Sequence, residues 1–256
     1  MSEHTALLEV DRLRVTYGGV VAVDDVSLQV PEGTLIGLIG PNGAGKTSLI
    51  DALTGYHSPS GGRVLFGGAD ITRMRSHLRA RLGLSRTFQS LELFDDLSVE
   101  ENVLVAADHI GVLRALGDLL VARTPSRAAA DWAIELCGLG DVAKLKPTEL
   151  SHGRRKLVGV ARALARKPRL VLLDEPAAGL DTEESEVLGK RLRELPGAGV
   201  TVLLVDHDMG LVLGICDEVR VIDFGRTIAH GTPRQIQEDP AVIAAYLGTQ
   251  EVAHAG

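Results

Sequence analysis

The sequence contains little cysteine, no excess of positive charge and no apolar run long enough to cross a bilayer. Its two cysteines, Cys137 and Cys216, lie far apart without metal-ligand spacing, which suits a reducing compartment and two core-packed thiols. The formal net charge is −7 over 256 residues, so no general basic field is present to bind nucleic acid or an anionic membrane. We therefore expect no nucleic-acid partner, and any phosphate site must be built locally.

The first residues and the apolar segments predict a cytoplasmic location. The opening MSEHTALLEV contains no basic segment followed by an apolar one, so no signal peptide is expected. The longest apolar runs, at 170–173 and 201–205, are far shorter than the roughly 20 residues that span a bilayer. We expect the chain to remain in the cytoplasm and not to cross a membrane itself.

The order of strand-like and helix-like segments predicts an α/β fold. Residues 7–30 contain two runs of β-forming residues separated by Gly18 and Gly19, which is typical of antiparallel strands. A buried-strand pattern at 35–40 then leads into a glycine-rich turn and a helix that ends at Gly55. In the second half of the chain, helices alternate with buried strands, which favours a mostly parallel sheet.

Helical periodicity runs from Ser98 to about Leu145, which indicates an all-helical insert in the α/β core. We therefore predict one domain over 1–256 that consists of a phosphate-loop NTPase core, an antiparallel β subdomain and an inserted helical subdomain. The predicted ranges are about 1–94 and 155–256 for the core with its β subdomain, and about 95–154 for the helical subdomain.

The segment GPNGAGKT at 40–47 fits the phosphate-loop pattern GxxxxGK[ST] at every fixed position, between a predicted strand and a predicted helix. Glycines let successive backbone N–H groups point at a phosphate, and the helix N-terminus adds its dipole. Lys46 would supply a positive charge for the β- and γ-phosphates, and the Thr47 hydroxyl would ligate magnesium. The candidate ATP-binding residues of this segment are Gly40, Pro41, Asn42, Gly43, Ala44, Gly45, Lys46, Thr47 and Ser48.

Two adjacent carboxylates, Asp174 and Glu175, follow the buried-strand pattern RLVLL. The carboxyl end of a parallel strand faces the crevice in which α/β proteins bind their ligands. Asp174 is therefore expected to hold the hydration shell of the magnesium ion. Glu175 is placed to polarise the attacking water, because the metal compensates charge while a neighbouring carboxylate accepts the proton.

Kinases, GTPases and helicases share these two motifs, so the family must be identified from other residues. The segment LSHG at 150–153 resembles the ABC ATPase signature, usually written LSGGQ. The resemblance to ABC ATPases covers nearly the whole chain. Single residues match the remaining family motifs: Tyr17 the aromatic that stacks on adenine, Gln89 the glutamine loop, Asp181 the D-loop and His207 the switch histidine.

The resemblance implies an ATP site shared between two subunits. One subunit would provide the phosphate loop, while Ser151 and the Gly153 backbone of the other address the γ-phosphate from a helix N-terminus. Gln89 would touch the metal and transmit its state to a transmembrane partner that docks near the helical insert. His207 would contact the γ-phosphate and orient the water, which makes it a catalytic candidate beside Glu175.

The resemblance also implies ligands, partners and a place of action. The implied ligands are ATP and Mg²⁺. The implied partners are a second ABC ATPase subunit, identical or different, transmembrane permease subunits and an extracytoplasmic solute-binding protein. The chain would then act at the cytoplasmic face of the membrane, held there by the permeases.

Within the family, the chain most resembles the ATPases of branched-chain amino acid importers. The resemblance rests on RTFQ at 86–89, LSVEENVLVAA at 97–107, DEPAAGLD at 174–181 and the ending GTPRQI with DPAVIAAYLG. Lipopolysaccharide-export ATPases have similar tails and compete for the assignment. Export relatives normally keep the second glycine of the signature, whereas importer relatives often carry a bulky residue there, as His152 does here. This difference favours import.

The signature departs from the family pattern, since His152 and Arg154 stand where Gly and Gln are usual. Arg154 is either a phosphate contact or a solvated cation at the start of a helix.

Two further interpretations assign the chain to other functional classes. A soluble ABC ATPase of translation or DNA repair usually needs a second cassette or a long coiled-coil insert, for which 256 residues leave no room. A non-hydrolysing nucleotide sensor is disfavoured because Glu175 and His207 are both present.

Overall fold

Two β-sheets form the frame of the protein, and helices lie against them. The structure, a computed structural model, describes the backbone of residues 6–87, 92–107 and 125–253, and side chains within these ranges except at 125 and 247–253. Gln89, the predicted glutamine-loop residue, lies outside the described residues. None of the helices within the described ranges is long and apolar enough to span a bilayer.

The strands are β1 (Ala6–Tyr17), β2 (Val20–Pro31), β3 (Leu35–Ile39), β4 (Gly61–Phe66), β5 (Ala69–Asp70), β6 (Leu84–Arg86), β7 (Leu170–Asp174), β8 (Thr201–Val205), β9 (Glu218–Asp223) and β10 (Arg226–Gly231). The helices are α1 (Lys46–Thr54), α2 (Ser76–Arg81), α3 (Val99–Ala107), α4 (Pro125–Leu136), α5 (His152–Leu164), α6 (Thr182–Glu194), α7 (Met209–Ile215), α8 (Pro233–Glu238) and α9 (Pro240–Ala253).

The larger sheet has six strands in the order β10-β9-β3-β8-β7-β6. Its strands from β9 to β6 are parallel, and β10 pairs antiparallel with β9. Every residue of β3, β7 and β8 is buried, which is the pattern of a parallel sheet covered on both faces. The predicted α/β fold with a mostly parallel sheet is confirmed.

The smaller sheet has four antiparallel strands in the order β2-β1-β4-β5. Tyr17 at the end of β1 pairs with Val20 at the start of β2, so Gly18 and Gly19 form the connecting turn, as predicted. Gly18 has a φ of 58°, a left-handed conformation that glycine adopts without steric cost.

Alternate residues of the central strands pack into two different apolar cores. Leu35 and Ile39 of β3 face one core, which also contains side chains from α3 to α7. Ile36 and Leu38 face the other core, which contains α1 and the inner face of the antiparallel sheet. This alternation places the large sheet as the middle layer between helices on one side and the β subdomain with α1 on the other.

The segment predicted as an all-helical insert contains α3 and α4 within its described part, and these helices pack against α5. The proposed boundary at 154/155 falls inside α5, which begins at His152. The insert and the core therefore share one continuous helix. The division at 95–154 stays a proposal.

No element was predicted between residues 56 and 97. The structure has β4, β5, α2 and β6 there. Strand β6 is only three residues long and exists through its parallel pairing with β7. A strand that short gives too few residues for its period to be recognised.

The two cysteines are buried free thiols, as expected. Burial raises the pKa of Cys137 to about 12 and that of Cys216 to about 12. Both thiols are therefore protonated at neutral pH and act as small apolar side chains in the larger core.

Candidate nucleotide site

The site residues converge because β3, β8 and β7 are adjacent and parallel. The phosphate loop follows β3, Asp174 ends β7 before Glu175, and His207 lies just after β8. The carboxyl ends of neighbouring parallel strands meet at one edge of the sheet. The tertiary structure thus brings together three segments that are far apart in the sequence.

The phosphate loop holds its own lysine. Lys46 is only 7% exposed, and its Nζ donates hydrogen bonds to the carbonyl oxygens of Gly40 at 2.7 Å and Pro41 at 3.0 Å. Burial lowers the pKa of the ammonium, against the opposing charge of Glu175 and other nearby carboxylates. The lysine is therefore a desolvated cation in the concavity of the loop, where an anion would be attracted strongly.

Glycine is required at two positions of the loop by close backbone approaches. A Cβ atom on Gly40 would lie 2.1 Å from the carbonyl oxygen of Ile222, and one on Gly45 would lie 2.3 Å from that of Ala22. Gly45 also has a left-handed backbone, with φ 100° and ψ 6°, immediately before α1. Any side chain at these positions would push the loop away from β2 and β9, so the pattern of glycines has a steric cause.

The rest of the loop presents an accessible outer surface. Asn42, Gly43 and Thr47 are exposed and Ser48 is half-buried, whereas Pro41 and Ala44 are buried in the protein. Thr47 lies in the first turn of α1, so its hydroxyl is near the positive end of the helix dipole. Thr47, the residue assigned to magnesium, is therefore accessible, whereas Lys46, assigned to the phosphates, is buried in the loop.

Asp174 is buried at the end of β7 and paired with an arginine. Its side chain is 10% exposed, and Oδ2 accepts a hydrogen bond from Arg86 Nη2 at 2.8 Å. The Asp174 backbone N–H donates to Thr87 Oγ1 at 3.1 Å. Asp174 is therefore held by two neighbours from the end of β6 and the residue that follows.

Glu175 has an unusual backbone, since its φ is 48°, a region that non-glycine residues enter at a cost. Its N–H donates to the Val205 carbonyl at 2.7 Å, which keeps the turn next to β8. His207 Nδ1 lies 3.9 Å from Glu175 Oε2, beyond hydrogen-bond distance. The two predicted catalytic side chains are thus neighbours without a direct hydrogen bond.

Asp206 is a buried member of the site that the sequence analysis did not assign. It is fully buried; Oδ2 accepts from the Ala177 N–H at 3.1 Å and Oδ1 from the Asp208 N–H at 3.0 Å. The first bond joins the loop after β7 to the loop after β8, and the second lies within the loop after β8. Its position after the apolar run TVLLV, like that of Asp174 after LVLL, was the signal that could have identified it.

Lys156 is a second buried lysine at the site, and the sequence analysis gave it no role. It is 7% exposed on α5, and burial lowers its pKa despite the nearby charges of Asp206 and Glu175. It lines a cavity of about 540 Å³ that Asp174 and Glu175 also line. The sequence did not indicate that Lys156 would be buried at the site, because a lysine in a basic helix normally extends into solvent.

Tyr17, the predicted adenine platform, is 42% exposed. Its ring packs against His57, with centroids 4.4 Å apart and planes inclined by 40°. One side of the tyrosine is therefore packed against the protein, while much of its surface remains accessible. The stacking role itself stays a prediction.

The signature segment leads into α5, where the N–H groups of Gly153 and Arg154 have partners within the same chain. Ser151 is the N-cap residue, and its Oγ accepts from the Arg154 N–H at 3.4 Å. The Gly153 N–H donates to Glu184 Oε1 at 2.9 Å. Arg154 forms an ion pair with Asp141 at 2.8 Å. The arginine therefore lies against an exposed carboxylate of its own chain.

The D-loop residue Asp181 is the N-cap of α6, where its Oδ1 accepts from the Glu184 N–H at 2.8 Å. Glu184 thus contacts both the D-loop and the signature, although the sequence gave it no role. A Cβ on Gly179 would lie 3.4 Å from His152 Nε2, so the signature histidine is also close to the D-loop. The signature segment and the D-loop therefore lie next to each other within one chain.

The side-chain oxygen atoms at the site fit a magnesium ion that is bound together with a nucleotide. Magnesium in nucleotide-dependent enzymes is bound through one or two side chains together with substrate phosphates and water. Asp174 at the end of β7 and Thr47 in the first turn of α1 offer such a sparse set of oxygen ligands. These two residues would hold the ion, and Gln89 lies outside the described residues.

This geometry defines the class of protein: a glycine-rich loop between a buried strand and a helix, with carboxylates at the end of the next strand but one in the same sheet, is a phosphate-loop nucleotide-binding site. A family model described as "ABC transporter" matches residues 23–178. The chain belongs to the ABC transporter family, as its ATP-binding and ATP-hydrolysing subunit. A second model, described as "Branched-chain amino acid ATP-binding cassette transporter", matches residues 226–252.

Individual relatives cover nearly the whole chain. The high-affinity branched-chain amino acid transport ATP-binding protein BraF of Pseudomonas aeruginosa is 40% identical, over 94% of this chain and 98% of its own. The lipopolysaccharide export system ATP-binding protein LptB of Acidithiobacillus ferridurans is 37% identical, over 95% and 98%. The crystal structure of the ADP conformation of MJ1267, an ATP-binding cassette of an ABC transporter, superposes with a TM-score of 0.85 at 30% identity, covering 95% of this chain and 99% of that chain.

Proposed function

We propose that this chain energises the import of branched-chain or related apolar amino acids by an ABC transporter. The observation that carries this substrate class is the match of residues 226–252 to the branched-chain amino acid cassette model. That segment forms β10, α8 and most of α9. It contains none of the residues assigned to ATP, so its similarity reflects the branch of the family rather than the shared chemistry of ATP.

The export alternative has less support. An export ATPase is 37% identical to this chain and an importer ATPase 40%, so overall identity separates the two weakly. The C-terminal match and the replacement of the second signature glycine by His152 both favour import. Import is therefore the function that we adopt.

Each site residue has a proposed part in hydrolysis. The phosphate loop and Lys46 bind the phosphates, and Tyr17 supports the adenine. Glu175 accepts the proton of the attacking water, since a carboxylate at the open end of the sheet can lie within reach of it. His207 contacts the γ-phosphate. Magnesium, when bound by Asp174 and Thr47, would neutralise charge on the phosphates.

The site is completed by a second subunit in this proposal. Ser151 and Gly153 of one subunit would face the ATP held by the other, with Asp181 at the same interface. Permease subunits would dock near the helical insert and hold the chain at the cytoplasmic face of the membrane, with Gln89 reporting the nucleotide state to them. A solute-binding protein would deliver the amino acid from outside.

Uptake in a deletion strain tests the substrate class. Cells that lack this chain should lose high-affinity uptake of radiolabelled leucine, isoleucine and valine, and the wild-type gene should restore it. The gene for Lys46→Ala should not restore uptake. The matched control is Arg63→Ala, which removes only an exposed ion pair with Asp11 and should restore uptake fully. Normal uptake in the deletion strain together with defective surface lipopolysaccharide would favour export instead.

A further inference from the structure

We propose that Arg86 is a positioning residue of the magnesium site, which holds Asp174 in a fixed orientation and connects it to the phosphate-loop helix. This inference rests on the proposed function, because it assumes that Asp174 serves the metal. Arg86 itself would touch neither metal nor nucleotide. Its role is to fix the direction of the carboxylate that does.

The guanidinium of Arg86 bridges two carboxylates from different elements. Nη2 donates to Asp174 Oδ2 at 2.8 Å, and Nη1 donates to Asp51 Oδ1 at 2.5 Å. The Arg86 side chain is only 8% exposed. Asp51 belongs to α1, the helix that begins with Lys46. The ion pairs therefore join β7, β6 and the phosphate-loop helix through one side chain.

A carboxylate with one oxygen bonded to a buried arginine cannot rotate freely, so its second oxygen keeps a defined direction. Magnesium tolerates little deviation from octahedral geometry, so rotational freedom at Asp174 would weaken binding of the ion. Asp51 in turn fixes the orientation of Arg86, because it accepts a hydrogen bond from the other terminal nitrogen of the guanidinium. Residues that hydrogen-bond to a metal ligand commonly change the affinity of the site for the metal in this way.

Arginine is the side chain suited to this position. Its planar fork bonds two separate carboxylates with defined geometry, whereas the ammonium of lysine is a single point charge on a flexible stem. Burial would disfavour the charged guanidinium, and the hydrogen bonds to Asp51 and Asp174 outweigh this effect, so the net pKa of Arg86 is raised. The cation is permanent and needs no change of protonation.

Arg86 also stands three residues before the proposed glutamine loop in the sequence RTFQ. The segment that would report the nucleotide state to the permeases therefore starts from a residue bonded to Asp174. A change in the position of Asp174 would be transmitted directly to the beginning of that segment.

The test measures the effect of magnesium on nucleotide binding, which requires no turnover. A fluorescent ATP analogue is titrated into wild type, Arg86→Lys and Asp51→Asn, with EDTA and with Mg²⁺. We expect the affinity in EDTA to stay within about twofold of wild type in both variants. The increase in affinity on addition of Mg²⁺ should fall about tenfold in Arg86→Lys and less in Asp51→Asn, which keeps the bond between Arg86 and Asp174.

The steady-state ATPase rate gives a second readout. At saturating ATP, the Mg²⁺ concentration for half-maximal rate should rise in Arg86→Lys, and high Mg²⁺ should recover most of the wild-type rate. Arg63→Ala is the matched control, since it breaks an arginine–aspartate pair at the surface and should leave both readouts unchanged. Circular dichroism and thermal midpoints check that each variant is folded.

The outcomes separate this inference from the proposed function. A wild-type chain that binds no nucleotide, with or without Mg²⁺, would overturn the proposed function. Wild-type binding that responds to Mg²⁺, with the same response in Arg86→Lys and Asp51→Asn, would overturn only the role of Arg86. An equal loss of affinity in EDTA and in Mg²⁺ would also overturn it, because that result indicates a general effect on the fold of the site.

Discussion

The backbone N–H of Gly153 donates a hydrogen bond to Glu184 Oε1 across 2.9 Å, which joins the start of α5 to the first turn of α6. Glu184 therefore places a carboxylate at the helix N-terminus to which we assign the γ-phosphate of the partner subunit. One N–H group cannot donate a full-strength hydrogen bond to two anions at the same time. In the proposed dimer, the phosphate must replace this carboxylate or compete with it.

Replacing Glu184 by Gln should therefore strengthen ATP-dependent dimerisation. Glutamine keeps the length of the side chain and an acceptor oxygen, but it removes the charge that repels the phosphate. In a Glu175→Gln background, we expect the ATP concentration for half-maximal dimer to fall about three- to tenfold, which corresponds to roughly 0.7–1.4 kcal/mol. Size-exclusion chromatography with light scattering measures this. Glu183→Gln, one residue earlier on α6, is the control, and weaker dimerisation in Glu184→Gln would contradict competition.

Replacing Glu175 by Gln should abolish most turnover and leave ATP binding intact. The change removes the proton acceptor while it preserves the size of the side chain and leaves Asp174 unchanged. General-base catalysis contributes about 10²–10⁴ in rate, so the ATPase rate should fall by that factor. Phosphate release and equilibrium ATP binding are measured in parallel. A rate within a few-fold of wild type would rule out Glu175 as the general base.

Replacing Tyr17 by Ala should weaken nucleotide binding by about 1–3 kcal/mol, the range for loss of one base–aromatic stack. Tyr17→Phe keeps the ring and should bind like wild type. His57→Ala serves as the control, because it removes the packing partner of the tyrosine without removing the platform. Calorimetric titration with ATP distinguishes the variants, and wild-type affinity in Tyr17→Ala would leave Tyr17 with a packing role only.

The shared site predicts complementation between subunits. Ser151→Arg would place a bulky side chain at the γ-phosphate of the partner's site, whereas Lys46→Ala damages the phosphate loop of its own subunit. A mixed dimer with one change on each chain contains one doubly damaged site and one site built from unchanged residues. Its ATPase rate should therefore be a substantial fraction of wild type, while both mutant homodimers are inactive.

Differently tagged chains allow the mixed dimer to be purified and compared with each homodimer, with permeases present if the isolated ATPase is slow. An active Ser151→Arg protein that stays monomeric with ATP would exclude a site assembled between subunits. Equal inactivity of all three dimers would count against independent sites.

Much of the fold was predictable because its signals are local. Buried parallel strands leave continuous apolar runs, as in LVLL at 170–173, and the Gly18–Gly19 turn separates two recognisable strands. Short elements that depend on a neighbour were not predictable. Strand β6 has three residues and is held by its pairing with β7.

The candidate site divides in the same way. Lys46, Asp174 and Glu175 stand in segments whose order and spacing identify them. Asp206 had only its position after the apolar run TVLLV, and Lys156 had no pattern at all, because the burial of both side chains is decided by the tertiary structure.

By itself, the sequence determined the phosphate loop, the family and the alternation of strands and helices, because each depends on contiguous residues or on periodicity. The tertiary structure alone decided that Arg86 joins Asp174 to Asp51 and that Glu184 holds the signature glycine. These contacts link residues distant in the chain. They exist only because β6 pairs with β7 and because α5 packs beside α6, and the free energy of such packing is not encoded in any local pattern.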